Sequence, residues 1–321
     1  MEIEREQKLS FEEMKEVPPQ FVRPVNERPE NTKAVEGVSV PVISLSLPHH
    51  LLVKQITEAA SEWGFFLITD HGISPTLIQR LQQDQKEALA NDPSAASFQG
   101  YGTKFTKNLD QKLEWIHYFF HVMAPPSKVD YNMWPQNPPS YRQVTEEYNV
   151  ELSRVRDMML EILSEGLGVE RNALKSSLGN EEMEMEMKIN VYPPCPQPEL
   201  ALGVESHTDM SALTFLVPNE VPGLQIWKDN NWVAANYVEN ALFVHVGDQL
   251  EVLSNGKYKS VLHRSLVNKE RTRISWAVFL VPPLETVIGP LPSLLTHQSP
   301  PKFSAKTYAE FRYRKLNKLP Q

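Results

Sequence analysis

The segment MEMEMKINVY, residues 183–192, decides the fold because its apolar and polar side chains alternate without a break. Successive side chains of a β-strand point to opposite faces, so this period of two predicts a strand with two unlike faces. Methionine and isoleucine occupy one face, while glutamate, lysine, asparagine and tyrosine occupy the other. The segment also marks a change along the chain, because the residues before it have helical spacing.

The β pattern continues beyond this strand as far as Pro282. Asp229-Asn230 and Asn255-Gly256 are turn signals between apolar runs. Many short strands joined by tight connections favour a sandwich or jelly roll over βαβ units. The predicted strands are 212–217, 223–228, 231–235, 241–246, 258–267 and 273–280.

Apolar residues before the decisive strand recur at helical spacing over several long segments. Residues 52–63 form one apolar helix face, and Ser74-Pro75 predicts the start of a second helix that ends near Asn91. The longest helix follows Pro138-Pro139 and ends at Gly168. The other predicted elements are strands at 40–45 and 65–69, a loop at 92–98 and a closing helix at 306–315.

These elements predict an α+β protein with an N-terminal region rich in helices and a C-terminal region rich in strands. We expect an N-terminal arm and helical region over residues 1–170, a β core over residues 171–290 and a C-terminal extension over residues 291–321. The first 38 residues contain prolines among charges and are predicted to be an extended arm laid on the domain. We expect all three parts to form one folded unit.

Composition limits the functional classes. The 321 residues carry a net charge of −8, which repels phosphate backbones and disfavours a nucleic-acid partner. A single cysteine cannot form an internal disulfide, so a reducing compartment is expected. Residues 1–16 lack the apolar core of a secretory signal, and no run approaches the ~18 apolar residues of a membrane helix. We therefore expect a cytoplasmic protein without a membrane partner.

His207 and Asp209 form the first group with chemistry in it. Residues two apart on an extended backbone point the same way, so the imidazole and the carboxylate converge. His263, on a later predicted strand, is placed to supply a third ligand. Two histidines and one carboxylate form the facial triad that holds Fe(II) and leaves coordination positions open. Each residue alone is more commonly a core or surface residue.

Arg273 and Ser275 form a second group on the strand that follows His263. They share one face, where a guanidinium fork binds a carboxylate through two hydrogen bonds and a hydroxyl adds another. Asn190 and Tyr192 share a face of the decisive strand and offer neutral hydrogen bonds to the same molecule. Arg-x-Ser alone also fits a surface arginine with an ion-pair partner.

The two groups together resemble the plant 2-oxoglutarate-dependent dioxygenases, and within them the flavonol synthases. The likeness lies in Asn190-x-Tyr192-Pro-Pro-Cys195, His207-x-Asp209, His263 and Arg273-x-Ser275, and it covers almost the whole chain. Further matching stretches are 40–45, 63–73, 100–104, 200–211, 217–220, 247–264, 300–302 and 315–321.

The resemblance implies a double-stranded β-helix, or jelly roll, with the N-terminal and long central helices packed outside it. It assigns Fe(II) to His207, Asp209 and His263. It assigns the distal carboxylate of 2-oxoglutarate to Arg273 and Ser275, with Asn190 and Tyr192 positioning that co-substrate. O₂ is then the oxidant, ascorbate a supporting reductant, and a monomer the expected state. By the same resemblance, Lys188, Phe120 and Phe279 line the substrate pocket.

Some residues depart from the family pattern. Tyr118 stands where the family has histidine, Val281 where it has a glutamate that binds a flavonoid hydroxyl, and Asp70 where it has asparagine. The segment 87–98 is also shorter than usual. These changes suggest a diverged relative with an altered substrate or weak activity. Asp209 is intact, which disfavours the halogenase chemistry of a relative that replaces this aspartate.

The expected reaction is the hydroxylation or desaturation of a small plant specialised metabolite, with a flavonoid as the leading substrate. An alkaloid or another aromatic molecule is the alternative substrate for the same chemistry. Two other classes stay open from the residues: an iron oxidase of the same fold that uses no 2-oxoglutarate, and a catalytically weak paralogue that binds a ligand.

Overall fold

The structure is a computed structural model that describes residues 11, 14–29, 32–35, 37–91, 100–102 and 112–321. The predicted loop 92–98 and the charged residues 1–10 lie outside these ranges. The strands are β1 Val42–Ser44, β2 Phe65–Thr69, β3 Gly100–Gly102, β4 His117–Ala124, β5 Glu184–Tyr192, β6 Val204–His207, β7 Leu213–Pro218, β8 Leu224–Lys228, β9 Asn231–Ala234, β10 Leu242–Val246, β11 His263–Ser265, β12 Arg273–Val281, β13 Val287–Ile288 and β14 Lys306–Thr307.

The helices lie mostly in the N-terminal half. They are α1 His49–Glu62, α2 Pro75–Asn91, α3 Tyr141–Leu167, α4 Ala173–Ser177, α5 Asp248–Leu253 and α6 Tyr308–Leu316. Short 3₁₀ turns lie at Pro126–Lys128, Tyr131–Met133, Asn180–Glu182 and Pro292–Leu294.

Two sheets of unequal size form the core of the fold. The larger has the order β1-β2-β10-β7-β12-β5-β4-β3, and the smaller has the order β6-β11-β8-β9. β13 and β14 form a separate pair. Among the pairings within these sheets, β1 with β2 is parallel and the others are antiparallel. This arrangement confirms the predicted α+β fold with a jelly-roll core.

The two faces of β5 meet different surroundings, as the alternating sequence predicts. Met185, Met187 and Ile189 are buried in the main hydrophobic core, together with apolar residues of α1, α2 and α3. The other face looks toward the smaller sheet, since Tyr192 donates a hydrogen bond to Ser265 of β11. The polar row of β5 therefore lies between the two sheets, in the interior of the jelly roll.

The long helix α3 ends where the sequence predicts, at Gly168. That glycine has a φ of 77°, and its N–H donates to the carbonyls of the last turn. A residue without Cβ adopts this left-handed conformation without strain, so glycine closes helices in this way. Asp229 and Asn230 likewise have φ values of 48° and 61°, as the hairpin between β8 and β9 requires. Asp70, with a φ of 54°, occupies a left-handed position that asparagine and aspartate both tolerate.

Several elements differ from the sequence prediction. The predicted strand 258–267 is wrong, because only His263–Ser265 pairs in a sheet. The hydroxyl of Tyr258 instead donates to Leu163 of α3, which holds the preceding segment against the helices. The prediction lacks β4 and α5, and also the short elements β3, β6, α4, β13 and β14. β4 carries consecutive aromatic and apolar residues on both faces, so it has no clear period of two.

The N-terminal arm binds the strands that carry the two candidate histidine ligands. Arg23 is buried and donates to Glu205 of β6 at 3.1 Å. Arg264 of β11 donates to the carbonyl of Thr32 at 2.7 Å. The ring of Phe11 also packs on Trp115, with ring centroids 4.4 Å apart. The described part of the arm therefore contacts β6 and β11 from outside.

A buried histidine of β4 that contacts helix α3 predicts how stability depends on pH. His121 hydrogen-bonds with the Tyr141 hydroxyl at 2.8 Å, and burial lowers the pKa of His121 to about 4. In the unfolded chain this histidine binds a proton below pH ~6.5, whereas in the folded chain it binds one only below pH ~4. The free energy of unfolding therefore falls as the pH falls from ~6.5 to ~4. Between pH 7 and pH 4.5, we expect His121→Gln to lose about 2 kcal/mol less of its free energy of unfolding than the parent protein loses.

Urea unfolding of the metal-free protein at both pH values measures this difference. His50→Gln, which changes an exposed histidine, is the matched control and should behave like the parent. Equal loss of stability in His121→Gln and the parent would contradict the assignment.

Candidate active site

Three predicted ligands converge between the sheets. His207 ends β6 and pairs directly across the ladder with His263, which begins β11. Asp209 follows two residues after His207, and its Oδ1 lies 3.7 Å from His207 Nε2 and 3.6 Å from His263 Nε2. A potential ligand atom from each residue lies within 4.8 Å of the other two. The convergence predicted from sequence is therefore present.

The donor set and its orientation fit a metal ion. Ligands that bind one ion at about 2.1 Å lie no more than about 4.2 Å apart, and both distances to Asp209 meet this limit. His207 Nδ1 hydrogen-bonds to the Glu205 carbonyl at 2.8 Å, and His263 Nδ1 lies 3.3 Å from the Val261 carbonyl. These bonds direct each Nε2 inward, as the hydrogen-bond partners behind metal-binding histidines do.

The protonation states also suit metal binding. Burial and the neighbouring His263 lower the pKa of His207 to about 3, which leaves its imidazole neutral. Burial raises the pKa of Asp209, but the three nearby histidines and a 2.7 Å hydrogen bond from Thr214 outweigh it and lower that pKa to about 2. A neutral imidazole and an ionised carboxylate are the forms that bind a metal.

Two supporting residues at this centre are absent from the sequence prediction. Thr214 of β7 holds one oxygen of Asp209, and His245 of β10 places its Nδ1 3.5 Å from the same oxygen. Both face inward, because Thr214 and His245 are direct partners in the β7–β10 ladder. A polar residue within an otherwise apolar predicted strand was the signal that could have identified them.

Arg273 lies deeper between the sheets and has an uncompensated charge. Its side chain is 1% exposed, and within the described ranges no carboxylate forms an ion pair with it. Its Nε has no hydrogen-bond partner, and burial lowers the pKa of the guanidinium. A buried charge without a counter-charge is costly, so this position fits an anionic ligand that enters between the sheets.

Neutral hydrogen-bonding groups surround that guanidinium. Tyr192 places its ring 4.9 Å from the guanidinium carbon, and Ser265 accepts hydrogen bonds from both Arg273 and Tyr192. Asn190 pairs with Ser275 across the ladder, and its Oδ1 has no partner. The predicted set of four residues is therefore assembled. Ser265 is an addition, and its place two residues after His263 was the available signal.

The predicted substrate residues line the outer part of the same face. Tyr118 and Phe120 of β4 pair with Asn190 and Lys188 of β5, and Lys188 Nζ lies 4.5 Å from the centre of the Tyr118 ring. Lys188 is near enough to His207 to lower its pKa. These three side chains therefore lie together on the face of β4 and β5 that carries Asn190.

Helix α6 covers the end of this face. Val281 is buried against Tyr308 and Phe311, and Phe279 packs at the edge of the same cluster. Lys315 of α6 donates hydrogen bonds to Thr208, between the two sequential metal ligands, and to Asp248. The C-terminal extension thus completes the wall near the metal centre.

Comparison with known proteins gives two family matches. Residues 183–282 match the 2OG-Fe(II) oxygenase superfamily, and residues 40–137 match the N-terminal region named non-haem dioxygenase in morphine synthesis. The chain is 47% identical over 334 residues to flavonol synthase/flavanone 3-hydroxylase of Arabidopsis thaliana, covering 100% of this chain and 99% of the relative. It is 42% identical to leucoanthocyanidin dioxygenase of Perilla frutescens, covering 97% and 93%.

Solved structures show the same architecture. A crystal structure of JOX2 in complex with 2OG, Fe and JA superposes with a TM-score of 0.86 at 32% identity, covering 94% of this chain and 90% of that one. The 2-oxoglutarate complex of dioxygenase for auxin oxidation 1 from Arabidopsis thaliana has a TM-score of 0.71 at 23% identity, covering 81% and 99%. At that identity the second likeness concerns the fold alone.

Removing one histidine should abolish iron binding. We expect His207→Ala to lose bound Fe(II) and 2-oxoglutarate consumption together, because two protein ligands cannot hold the ion in place of three. Iron content after gel filtration and succinate formation measure the two effects. His297→Ala, at an exposed histidine, is the control. Consumption of 2-oxoglutarate by His207→Ala at the parent rate would refute the ligand assignment.

A glycine beside Arg273 allows a test of the anion position without changing a charge. A Cβ at Gly223 would lie 2.9 Å from both Arg273 Cδ and the Leu266 carbonyl oxygen. We expect Gly223→Ala to displace the guanidinium and raise the KM for 2-oxoglutarate at least about tenfold, since small misplacements are costly in such sites.

The control for Gly223→Ala is an alanine at another glycine that has a positive φ. Gly72 also has a positive φ, of 82°, but nothing lies within 4 Å of a Cβ built there. Gly72→Ala should therefore leave the KM for 2-oxoglutarate unchanged. Equal KM values for the two variants would contradict a role for the Arg273 position.

Proposed function

Because the chain belongs to the 2OG-Fe(II) oxygenase superfamily, we propose that this non-haem dioxygenase oxidises a flavonoid, by desaturation or hydroxylation. The observation that carries the proposal is the juxtaposition of a His-Asp-His cluster with a buried, unpaired guanidinium inside one jelly roll. The 47% identity to a flavonol synthase over the whole chain supports the substrate class.

We assign the metal to His207, Asp209 and His263. Bound there, Fe(II) together with 2-oxoglutarate and O₂ supplies the oxidation that no protein side chain can perform. The backbone carbonyls of Glu205 and Val261 keep both imidazoles aimed at the ion, and Thr214 holds the second oxygen of Asp209. Three protein ligands leave coordination positions for the co-substrate and oxygen, with ascorbate as a supporting reductant.

The co-substrate position is assigned to Arg273, Ser275, Asn190 and Tyr192. The distal carboxylate of 2-oxoglutarate would neutralise the buried guanidinium through a bidentate contact, and the Ser275 hydroxyl would donate to it. The free Oδ1 of Asn190 faces the same space, and the Tyr192 hydroxyl lies beside Ser265. This unpaired charge disfavours the alternative oxidase that uses no 2-oxoglutarate.

The substrate is assigned to the outer part of the inner face. Tyr118, Phe120 and Phe279 offer aromatic surfaces, Lys188 offers a charged donor near the metal, and Val281 closes the wall against α6. Flat aromatic molecules with few polar groups suit such a lining. Flavonoids have this shape, and an alkaloid or other aromatic substrate of similar shape is the alternative. The intact ligand sets disfavour a paralogue that only binds.

We further propose a cytoplasmic monomer that has no nucleic-acid or membrane partner. The net charge of −8 supports the absence of nucleic acid, and Cys195, the one cysteine, is buried and free. None of the helices in the described ranges has the length and apolarity needed to span a bilayer.

A substrate panel tests the proposed function. We expect dihydroquercetin to be converted to quercetin when Fe(II), ascorbate and 2-oxoglutarate are supplied, with one succinate formed per product. Mass spectrometry of dihydroflavonols and plant alkaloids incubated in parallel measures the outcome. Turnover of an alkaloid without turnover of any flavonoid would replace the leading substrate by the alternative.

A further inference from the structure

Glu186 lies on the face of β5 that carries the candidate site. It alternates with Lys188 and Asn190, and it pairs with Phe279 of β12 on one side and Val122 of β4 on the other. Side chains two apart on a strand share a face, so the Glu186 carboxylate points into the space between the sheets. Composition alone would place a glutamate at solvent, but this register places it inside.

The position relative to the metal centre follows from the same ladder. Phe279 pairs with Glu186 on one side and with Thr214 of β7 on the other, and Thr214 holds the Asp209 carboxylate. Neighbouring strands are about 4.8 Å apart, so Glu186 and Thr214 are separated by about 10 Å across the sheet. This is the length of a two- or three-ring aromatic molecule whose reacting carbon lies near the metal.

The surroundings leave the carboxylate without a partner. Within the described residues, no hydrogen bond and no ion pair within 4 Å reaches Glu186, and the nearby Lys128 is bonded to Glu184 at 2.6 Å. Burial and the charge of Glu184 raise the pKa of Glu186 to about 7, against the opposing effect of Arg312 and Lys128. An acceptor in such a place gains from any ligand that donates a hydrogen bond.

We propose that Glu186 determines substrate specificity by accepting a hydrogen bond from a phenolic hydroxyl at the end of the substrate remote from the metal. The inference rests on the proposed flavonoid function and adds a residue and a hydroxyl to it. The reacting ring lies beside the metal ligands and Lys188, and a hydroxylated outer ring extends past Phe279 to Glu186 under the cover of α6.

Charged groups of both signs surround this position. Lys188 lies on the same face, and Lys128 and Arg312 are near enough to lower the pKa of Glu186. The groups near the Glu186 carboxyl come from three elements. They are Glu184 and Lys188 of β5, Lys128 of the 3₁₀ turn Pro126–Lys128, and Tyr308 and Arg312 of α6.

A cycle of protein variants and substrates tests the contact. Dihydroquercetin and analogues that each lack one ring hydroxyl are assayed with the iron- and 2-oxoglutarate-loaded parent, Glu186→Gln and Glu186→Met. We expect one ring hydroxyl to be the one that Glu186 contacts. Glu186→Met should raise the KM for dihydroquercetin about tenfold with a smaller change in kcat, and it should leave the KM for the analogue that lacks this hydroxyl unchanged. Glu186→Gln, which keeps an acceptor oxygen, should retain most of the discrimination.

Controls separate this contact from general damage. Glu182→Gln changes an exposed glutamate just before β5 and should match the parent. The KM for 2-oxoglutarate and the iron content should be unchanged in each folded variant. If Glu186→Met does not fold, Glu186→Ala provides the same comparison with a smaller side chain.

The possible failures are distinguishable. If no flavonoid is turned over by the parent, the proposed function fails, and the inference fails with it. If flavonoids are turned over but Glu186→Met changes KM by the same factor whichever hydroxyl the substrate lacks, only the role of Glu186 is overturned. Equal KM increases for hydroxylated and deoxy substrates would likewise assign Glu186 a structural role.

Discussion

The direct pairing of His207 with His263 across the β6–β11 ladder is the constraint on which the site depends. It brings two imidazoles from distant parts of the sequence to one point, with their ring centroids 4.2 Å apart. Asp209 joins them because it follows His207 by two residues. The register is reinforced from outside, where the N-terminal arm binds Glu205 and Arg264, the neighbours of both histidines. A shift of one residue would turn every ligand to the other face.

Two neighbouring strands of the larger sheet, β5 and β12, carry charged side chains that point into the interior of the jelly roll. β5 and β12 place Arg273 at one end of the inner face and Glu186 at the other, with the metal ligands facing the space between them. Neither charge is paired within the described chain, so both reduce the stability of the empty protein and both favour ligands of complementary chemistry. Val281 lies diagonally beside Glu186. The hydrocarbon at 281 and the carboxylate at 186 together set the polarity of the outer pocket.

Much of this arrangement is predictable from sequence. The alternation over 183–192 predicts β5 and its two faces, and residues spaced two apart predict the convergence of His207 with Asp209 and of Arg273 with Ser275. The contributions of Thr214, His245 and Ser265 were missed, because their polar character within apolar strands is visible in the sequence but the partner of each side chain is not. The strand predicted at 258–267 was too long, since Tyr258 bonds to a helix remote in sequence. Glu186 was identified only as part of an alternating pattern.

The sequence by itself determined the local elements, the kinds of chemistry and the family, because periodicity, turn residues and closely spaced motifs are properties of short segments. Only the tertiary structure decided which face of each strand lies inside, that Arg273 has no counter-charge within the described chain and that Glu186 shares a ladder row with Phe279 and Thr214. These facts depend on register between strands that are far apart along the chain. Register is fixed by the sum of many packing and hydrogen-bond contacts, so no single segment encodes it.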